Sequence, residues 1–502
     1  MVVSNIKPIV LKSKNENWYI YSPTIPCIYP CHKVLAMICK LYLAGIERNQ
    51  WVKIILDKNE SQEQEIHYYL KLFDLLKGKK YFESVCPVHH IDTVIDSSLV
   101  KKELFNISQI SLEVTQECNL NCTYCAYSDL YNNYSKRFDK KMDCQVAYNA
   151  INYFFEYANS KKRISYRRPL DITFYGGEPL LNMNLIKKIV QLSKKKSLYH
   201  VPITYTIVTN GILLKEYLEY LIENKFNIYI SLDGNYIHNS YRVTKNNKNV
   251  QKIVEKNILL IKDKYNDFYS KYVNFNVVLH NLNPIDETIN YFINKFKKIP
   301  SFSELATNGV SIEKRIFFES LLNNSINKDI SSNCWDTVFP KLPHQGDLVD
   351  LLHRSTPFVF RDYNNLIYQN INLKRYPTAT CLPFSNKVFI TAEGRILPCE
   401  QVSHFYIIGK IDKHTVRINF DEIAQKYREY FSKIIKQCAG CWKVFHCSKC
   451  IFKISDTGDF FSCSDRLNEE SFKNFILSGI ELLEKYPKTY KNIMSDVYYL
   501  KG

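Results

Sequence analysis

Several things are missing from this chain of 502 residues, and each absence narrows what it can be. No apolar run reaches the roughly 18 residues that a membrane span needs, so no transmembrane segment is expected. The opening residues, Met1-Val-Val-Ser-Asn-Ile-Lys-Pro8, carry no charged stretch followed by a long apolar one. No secretory signal is therefore visible, and a cytoplasmic location is expected. Acidic residues are in deficit: 67 Lys and Arg stand against 50 Asp and Glu, a formal net charge of +17. A nucleic-acid surface would gather such an excess into a stripe, yet only short runs such as Lys161-Lys162-Arg163 and Lys194-Lys195-Lys196 occur. Scattered lysines in an Asn/Ile/Lys/Tyr-rich chain read as solvated faces. Nucleic acid is thus an unlikely partner, and attraction of an acidic peptide is the better use of the charge. A hydrophobic content of 46% is ordinary for globular protein, and the length implies roughly two to four domains.

Cysteine is what the chain does have, with 16 residues. Their clustering in a large chain argues for metal ligation rather than disulfides. Cys118, Cys122 and Cys125 stand at C-x3-C-x2-C spacing, directly after the strand-like run Gln109–Thr115. One tight loop then supplies three thiolates, enough for three irons of a four-iron cluster. The fourth iron would be open to a substrate or cofactor. Structural zinc normally asks for four protein ligands in two separated pairs, which this loop does not offer.

From about residue 105 the pattern alternates strand and helix. Strands are expected at Gln109–Thr115, Leu170–Tyr175, Ile203–Val208, Phe226–Ile230 and Asn274–Leu279, with a sixth near Arg315–Phe318. Helices are expected at Asp143–Asn159, Leu213–Asn224, Val250–Ile261 and Pro284–Phe296, with another carrying Leu185, Ile186, Ile189 and Val190 inward. Six strands alternating with helices imply an α/β fold with a parallel sheet, curved as a partial barrel. In such folds the residues just past the strand C-termini build the site. The cysteine loop, Gly176-Gly177-Glu178, Thr209-Asn210-Gly211 and Ser231-Leu232-Asp233-Gly234 all fall there.

The triplet, with Tyr124 before its last cysteine, and the ordered turns after it resemble the core of the radical S-adenosylmethionine (SAM) enzymes. In that family SAM chelates the open iron, and an electron from the cluster cleaves it to a 5′-deoxyadenosyl radical that abstracts a substrate hydrogen. The resemblance implies a partial (β/α)6 barrel over residues 101–320. It gives Gly176, Gly177 and Glu178 to the SAM ammonium, Ser231 and Asp233 to its ribose and carboxylate, and Tyr124 to the adenine. Arg242 would pair with the SAM carboxylate, with a solvated surface arginine as the alternative; His238 reads as structural.

Seven cysteines return at 381, 399, 438, 441, 447, 450 and 463. The two CxxC pairs alone would favour zinc, but seven thiols exceed one tetrahedral site. The pattern resembles the SPASM extension of radical SAM peptide-modifying enzymes, which carries two auxiliary iron–sulfur clusters. It departs in one spacing, with two residues between Cys447 and Cys450 where the family usually has three. By that resemblance Cys438, Cys441, Cys447 and Cys463 hold an outer cluster, and Cys381, Cys399 and Cys450 an inner one that is a ligand short. The cofactors implied are SAM and three [4Fe-4S] clusters. Glu400 matches the position of a catalytic acid in sulfatase-maturing relatives; a surface glutamate after a hairpin is the alternative.

Residues 1–100 carry no metal motif. Ile9–Leu11 and Trp18–Tyr21 read as a hairpin, and His32–Leu43 and Glu63–Leu76 as amphipathic helices. This unit resembles the winged-helix-like leader-recognition element of ribosomal-peptide maturases, which captures a peptide as an added strand. Cys27, Cys31, Cys39 and Cys86 read as structural thiols. Residues 321–380, broken by Pro340, Pro343 and Pro357, are expected to line the substrate opening, and 381–502 to form the SPASM domain. The expected whole is a radical SAM/SPASM maturase that cross-links or oxidises a ribosomally made precursor peptide, reduced by a flavodoxin or ferredoxin. A sulfatase-type formylglycine-forming maturase, a radical RNA-modifying enzyme and a non-enzymatic zinc or iron–sulfur peptide-binding module are the alternatives.

Overall fold

The computed structural model describes residues 5–24, 27–58, 62–87, 91–133, 139–163, 169–196, 201–307, 309–322, 349, 351–352, 376–456, 461–463 and 465–497. Most of the expected substrate-lining stretch 321–380, with Cys334 and Trp335, lies outside the described residues. The chain divides into two compact units. Met1–Thr93, His344–Thr380 and Glu429–Leu500 form the first; Val94–Pro343 and Cys381–Arg428 form the second.

In the first unit, β1 (Ile9–Lys12) and β2 (Trp18–Ser22) make the expected hairpin, with Ile9 opposite Tyr21. A third strand, β3 (Cys27–Cys31), adds antiparallel to β2. Helices α1 (Lys33–Leu43), α2 (Arg48–Asp57) and α3 (Glu63–Gly78) follow. His32 caps α1 by accepting from the Val34 N–H at 3.4 Å. Val34, Ile38, Trp51, Ile55, Ile66 and Phe73 then close one buried core with Ile20. Burial pushes the Cys27 thiol up to about 11 and that of Cys31 to about 12, so these are inert packing groups. The hairpin also packs on C-terminal residues. Glu484 accepts from Ser13, Asn17 and Tyr19 at 2.7–2.9 Å, and Tyr21 meets the Phe472 ring edge-on at 5.3 Å.

The second unit opens with α4 (Ser97–Phe105), capped by Asp96, and is built on one sheet. β4 (Gln109–Thr115), β5 (Leu170–Gly176), β6 (Ile203–Thr209), β7 (Asn227–Ser231), β8 (Val273–Leu279) and β9 (Ser301–Glu304) lie side by side, every neighbouring pair parallel. Helices α5 (Cys144–Ala158), α6 (Met183–Lys195), α7 (Leu214–Glu223), α8 (Gln251–Lys264), α9 (Asn266–Tyr272) and α10 (Ile285–Phe296) fill the connections. Beyond β4, the strand β10 (Lys387–Ile390) pairs parallel to it. β11 (Arg395–Leu397), β12 (Gly409–Ile411) and β13 (Val416–Arg417) continue antiparallel.

Alternation decides the two faces. Ile110, Leu112, Val114, Ile172, Phe174, Ile207, Ile228 and Ile230 are fully buried apolar side chains. The other face is polar. Asp171 accepts from Thr204 and Thr206 at 2.8 Å and from Thr173 at 2.5 Å, while Gln109 donates to Thr173 at 2.7 Å. Register sets Lys387, Gln109, Asp171 and Thr204 in one row, at the start of β4.

One expectation is corrected. Arg315–Phe318 is not the sixth strand; it opens the helix α11 (Arg315–Leu321), and the sixth strand is β9. Phe318 and Leu321 are buried one turn apart, whereas Ile316 is 86% exposed, which is helical and not strand periodicity. β9 escapes notice because Ser301-Phe-Ser-Glu304 is short and polar, with only Phe302 buried.

Candidate functional site

The cysteine loop leaves β4 at Thr115 and is pinned from two sides. Asn121 N–H donates to the Val243 carbonyl at 2.7 Å, and Thr123 N–H to that of Tyr241 at 3.0 Å. On the other side Gly177 N–H donates to Thr115 and Glu178 N–H to Glu117, each at 2.8 Å. A Cβ on Gly176 would stand 2.1 Å from the Thr115 carbonyl oxygen, and one on Gly177 2.1 Å from that of Glu117. The glycine pair thus lets the loop's own backbone come close.

Glu178, next in line, is fully buried. Its carboxylate accepts from Thr209 Oγ1 at 2.8 Å, from the Asn210 N–H at 2.8 Å and from the Leu180 N–H at 3.1 Å. Burial pushes its pKa up to about 7, against the pull of those three donors. Asn210 extends the chain of contacts to the loop, its amide 2.7 Å from Asn119 Oδ1 and 4.0 Å from Cys118 Sγ. Asn210 was expected at this strand end, and the structure gives its side chain the contact with the cysteine loop.

Asp233 and Arg242 form a buried ion pair, Nε to Oδ2 3.0 Å. Tyr124 donates its hydroxyl to the same Oδ2, and the Arg242 guanidinium lies 5.5 Å over the Tyr124 ring. The Val278 N–H donates to the other carboxylate oxygen at 3.0 Å, and His280 Nε2 stands 3.7 Å from Oδ2. Burial alone would raise Asp233, but Arg242, and after it His280 and Tyr124, hold it below the usual carboxylate range. Arg242 is therefore no solvated surface residue, being 8% exposed. Ser231 ends β7, half-buried and opposite Asn276. His238 is buried, 3.3 Å from Glu287, and fills the space where a Gly234 side chain would go.

Cys122 senses all of this. Burial pushes its thiol up to about 12; Arg242 opposes, and Cys125 and Cys118 add to the rise. A thiol that resists ionisation in this way is a poor nucleophile, but it suits a cation that neutralises it as the thiolate. Among the described residues no three His, Cys, Asp or Glu side chains converge on a single metal ion. The loop's donor set fits an iron–sulfur cluster, whose several irons share the thiolates out.

A third buried carboxylate lies beside the loop. Glu113, on the polar face of β4, accepts from the Tyr127 hydroxyl and from the Ala392 N–H at 2.7 Å. Burial raises it to about 6. The Tyr127 ring stands 5.8 Å from His404, which burial lowers to about 4. Sequence reading missed this cluster. The alternating polar positions Gln109, Ser111, Glu113 and Thr115 were the available signal.

The later cysteines fall in both units. In the first, the helix Phe420–Cys438 ends on Cys438, and burial, followed by the thiols of Cys447, Cys441 and Cys463, pushes the Cys438 thiol far up. Cys441, Cys447 and Cys463 are thus near enough to Cys438 for their thiols to raise it. His446, between two of them, is hydrogen-bonded to Tyr21 of β2 at 3.0 Å. Cys450 is in this unit, while Cys381 and Cys399 belong to the second. There Lys387 on β10 bonds both Glu400 oxygens, at 3.0 and 3.2 Å. Burial pulls Lys387 down, but Glu400, with lesser help from Cys399 and Cys381, holds it above the usual lysine range. Glu400 is thus a half-buried, ion-paired residue.

With this geometry in view, residues 112–292 match the family model described as the Radical SAM superfamily. The "Radical SAM cyclopropyl synthase TigE" of Paramaledivibacter caminithermalis is 26% identical over 354 residues, 68% of this chain and 67% of that protein. A "Cysteine-type anaerobic sulfatase-maturating enzyme" of Clostridium novyi is 25% identical over 402 residues, 76% of this chain and 98% of that one. The solved structure of native anSMEcpe with bound AdoMet covers 79% of this chain and 99% of its own, at 19% identity and a TM-score of 0.47. Among the described residues no helix is long and apolar enough to cross a membrane.

Replacing Glu178 tests how the site is held. Glu178→Ala strands three buried donors and should cost about 3 kcal/mol or more, whereas Glu178→Gln, keeping one acceptor, should cost about 1 kcal/mol. Because the folded state binds this proton more tightly than the unfolded chain, its contribution to stability falls as pH rises from the ordinary 4.5 to about 7 and is level above. Denaturant unfolding across that window should show the slope in the parent protein and a flatter difference for Glu178→Gln. Equal slopes would mean Glu178 is not a buried acid.

Proposed function

We propose, with a radical SAM domain at residues 112–292 and hence a radical SAM enzyme as the premise, that this protein matures a ribosomally made peptide. The observation that carries the reading is the three-thiol loop Cys118, Cys122 and Cys125, pinned beside the buried Asp233–Arg242 pair. These thiols would hold a four-iron cluster. Tyr124, Gly176, Gly177, Glu178, Ser231, Asp233 and Arg242, around the same strand ends, would position SAM. When bound, the two supply one-electron hydrogen abstraction.

The chain's own residues then do the positioning. Tyr124, Asp233 and Arg242 tie the cysteine loop to β7 and β8, so that loop is rigid before anything binds. The polar face of β4–β6, with Gln109, Asp171, Thr173, Thr204 and Thr206, offers hydrogen-bonding groups to a polar chain. Cys438, Cys441, Cys447 and Cys463 would hold an auxiliary cluster. Glu400, fixed by Lys387 directly after Cys399, would take a proton from the oxidised substrate. A reduced flavodoxin or ferredoxin would supply electrons. The domain scheme proposed is recognition by residues 1–100, a core at 101–320, a lining segment at 321–380 and auxiliary ligands from 381–502.

Support for a polypeptide substrate comes from the relative named as sulfatase-maturating. The second reading, a maturase of a whole sulfatase-type protein, is favoured by the span of that likeness, which reaches 98% of the relative. Residues 27–31 support peptide capture. Among the described residues β3 pairs only with β2, so its other edge can accept a strand.

Converting Cys118, Cys122 and Cys125 to Ala should abolish SAM cleavage and lower iron from roughly 12 to roughly 8 per chain, assuming four-iron clusters. Retained SAM cleavage would sink the assignment. Adding a precursor peptide, sought among short open reading frames beside the gene, should slow amide exchange in residues 27–31 by about tenfold or more if the edge is used as a strand partner. Unchanged exchange there would place recognition elsewhere. Glu400→Gln should reduce peptide product by about 100-fold, within the usual range for a proton-transfer group, and leave uncoupled SAM cleavage intact. Lys387→Gln serves as the packing control: an equal loss in both variants would make Glu400 a structural partner only.

A further inference from the structure

The polar face of the sheet distributes its hydrogen atoms unevenly. Asp171 on β5 accepts from Thr204 and Thr206 of β6 at Oδ1, each at 2.8 Å, and from Thr173 at Oδ2. A hydroxyl has one hydrogen to give. All three are spent on Asp171, so Thr204 and Thr206 have only lone pairs left to offer. Thr173 uses one of its own lone pairs on the Gln109 amide, at 2.7 Å. Among the described residues Oδ2 of Asp171 accepts that one bond, which leaves it room for another donor. The cluster is thus a set of acceptors. Asp171 and Thr204 are half-buried rather than sealed, so a side chain can reach them.

Charge points the same way. The chain carries a formal +17, yet β4, β5, β6, β7 and β8 contain no lysine or arginine at any position. Their two charged residues are the carboxylates Glu113 and Asp171. Lys387 of β10 lies in the same row as Asp171, but its ammonium is taken up by both oxygens of Glu400. Burial raises Asp171 above the usual carboxylate range, and the pull of the three threonines and then Lys387 does not cancel it. A staple between β5 and β6 would need no charge, since an asparagine oxygen accepts from the same two hydroxyls. A carboxylate kept here at the expense of its own burial gains from a cation brought to it.

We propose that Asp171, with Thr204 and Thr206, forms a subsite that reads a lysine or arginine side chain of the polypeptide substrate. The inference rests on the reading of this chain as a peptide-modifying radical SAM enzyme. Ammonium and guanidinium groups are donors only, the complement of a face made of acceptors. An acidic side chain would meet a like charge there, and an apolar one would leave the lone pairs without partners. Asp171 pairs with Gln109 at the start of β4, whereas the cysteine loop follows Thr115 at its end. The basic residue is therefore an anchor, set apart along the substrate from the carbon that reacts. Asp171 determines specificity and takes no part in bond making.

The test pans mRNA-displayed random peptides, each long enough to run the length of β4, against the iron-loaded protein with SAM under anaerobic conditions. Asp171→Asn is panned in parallel. Enriched peptides are then made singly, each beside a copy with norleucine in place of its basic residue, and their binding is measured. The parent should enrich lysine or arginine at one position, and the norleucine copy should bind about tenfold or more weakly, the loss of one hydrogen bond to a charged group. In Asp171→Asn that preference should vanish, because the amide places a donor where the cation would sit. Iron content should match the parent. Equal affinity for the basic and norleucine peptides in the parent overturns the subsite, whatever the variant does. A basic preference that survives in Asp171→Asn overturns it as well, and so does enrichment of acidic peptides alone or of none. A protein that takes up iron and cleaves SAM while showing no such preference keeps the radical SAM reading and loses the subsite. One that takes up no iron and cleaves no SAM loses the reading itself.

Discussion

The close crossing of Gly176 and Gly177 over the backbone of Thr115 and Glu117 is the constraint on which the site depends. With a carbonyl oxygen 2.1 Å from where each Cβ would stand, no other residue fits without moving β4 or β5. Glycine in a strand end loses conformational freedom on folding, and this crossing accepts that cost for register. β4 and β5 stay paired to their last residues, and two further hydrogen bonds carry the pairing into the cysteine loop. Glu178 then reaches the end of β6 through Thr209 and Asn210. Three strand ends are thereby clamped at the level of the three thiols.

Buried charge is handled in two opposite ways around that clamp. Asp233 is given a guanidinium, a phenol and a backbone N–H, and it stays ionised. Glu178 and Glu113 receive neutral donors only, and burial lifts both toward neutrality. Ion pairs of the first kind return little net stability, because the desolvation of both partners offsets their attraction. Their effect is to fix geometry: removing either partner would leave an uncompensated charge, so the loop has one good position.

How much of this was legible follows from what each feature needs. The cysteine loop reads directly, because one tight loop must hold all three thiols at fixed spacing. β4 reads to the residue, Gln109–Thr115, since its flanks change character sharply. β9 did not, because four mostly polar residues carry no period, while the apolar run at Ile316-Phe317-Phe318 imitated a strand. β3 was hidden by Pro30 and by its lack of alternation. Asp233–Arg242 spans nine positions of loop, and Tyr21–His446 spans 425; neither leaves a periodic trace. The polar face of the sheet leaves only alternation in the sequence, and a half-exposed strand alternates in the same way.

That polar face also separates two kinds of chemistry in space. Lys387 lies level with Gln109, the first residue of β4, and the cysteine loop begins after Thr115, the last. Six residues of strand span about 20 Å. Glu400, held by Lys387, is therefore at the opposite end of the strand from Cys118. If hydrogen abstraction takes place beside the cysteine loop as proposed, Glu400 does not act on the same atom at the same instant. It can act only on a substrate that extends along the sheet, past Asp171 and its threonines. A long, flexible, polar substrate satisfies that requirement, and a compact metabolite does not. If Glu400 acts on the substrate as proposed, the distance between the two ends suits an extended polypeptide better than a compact metabolite.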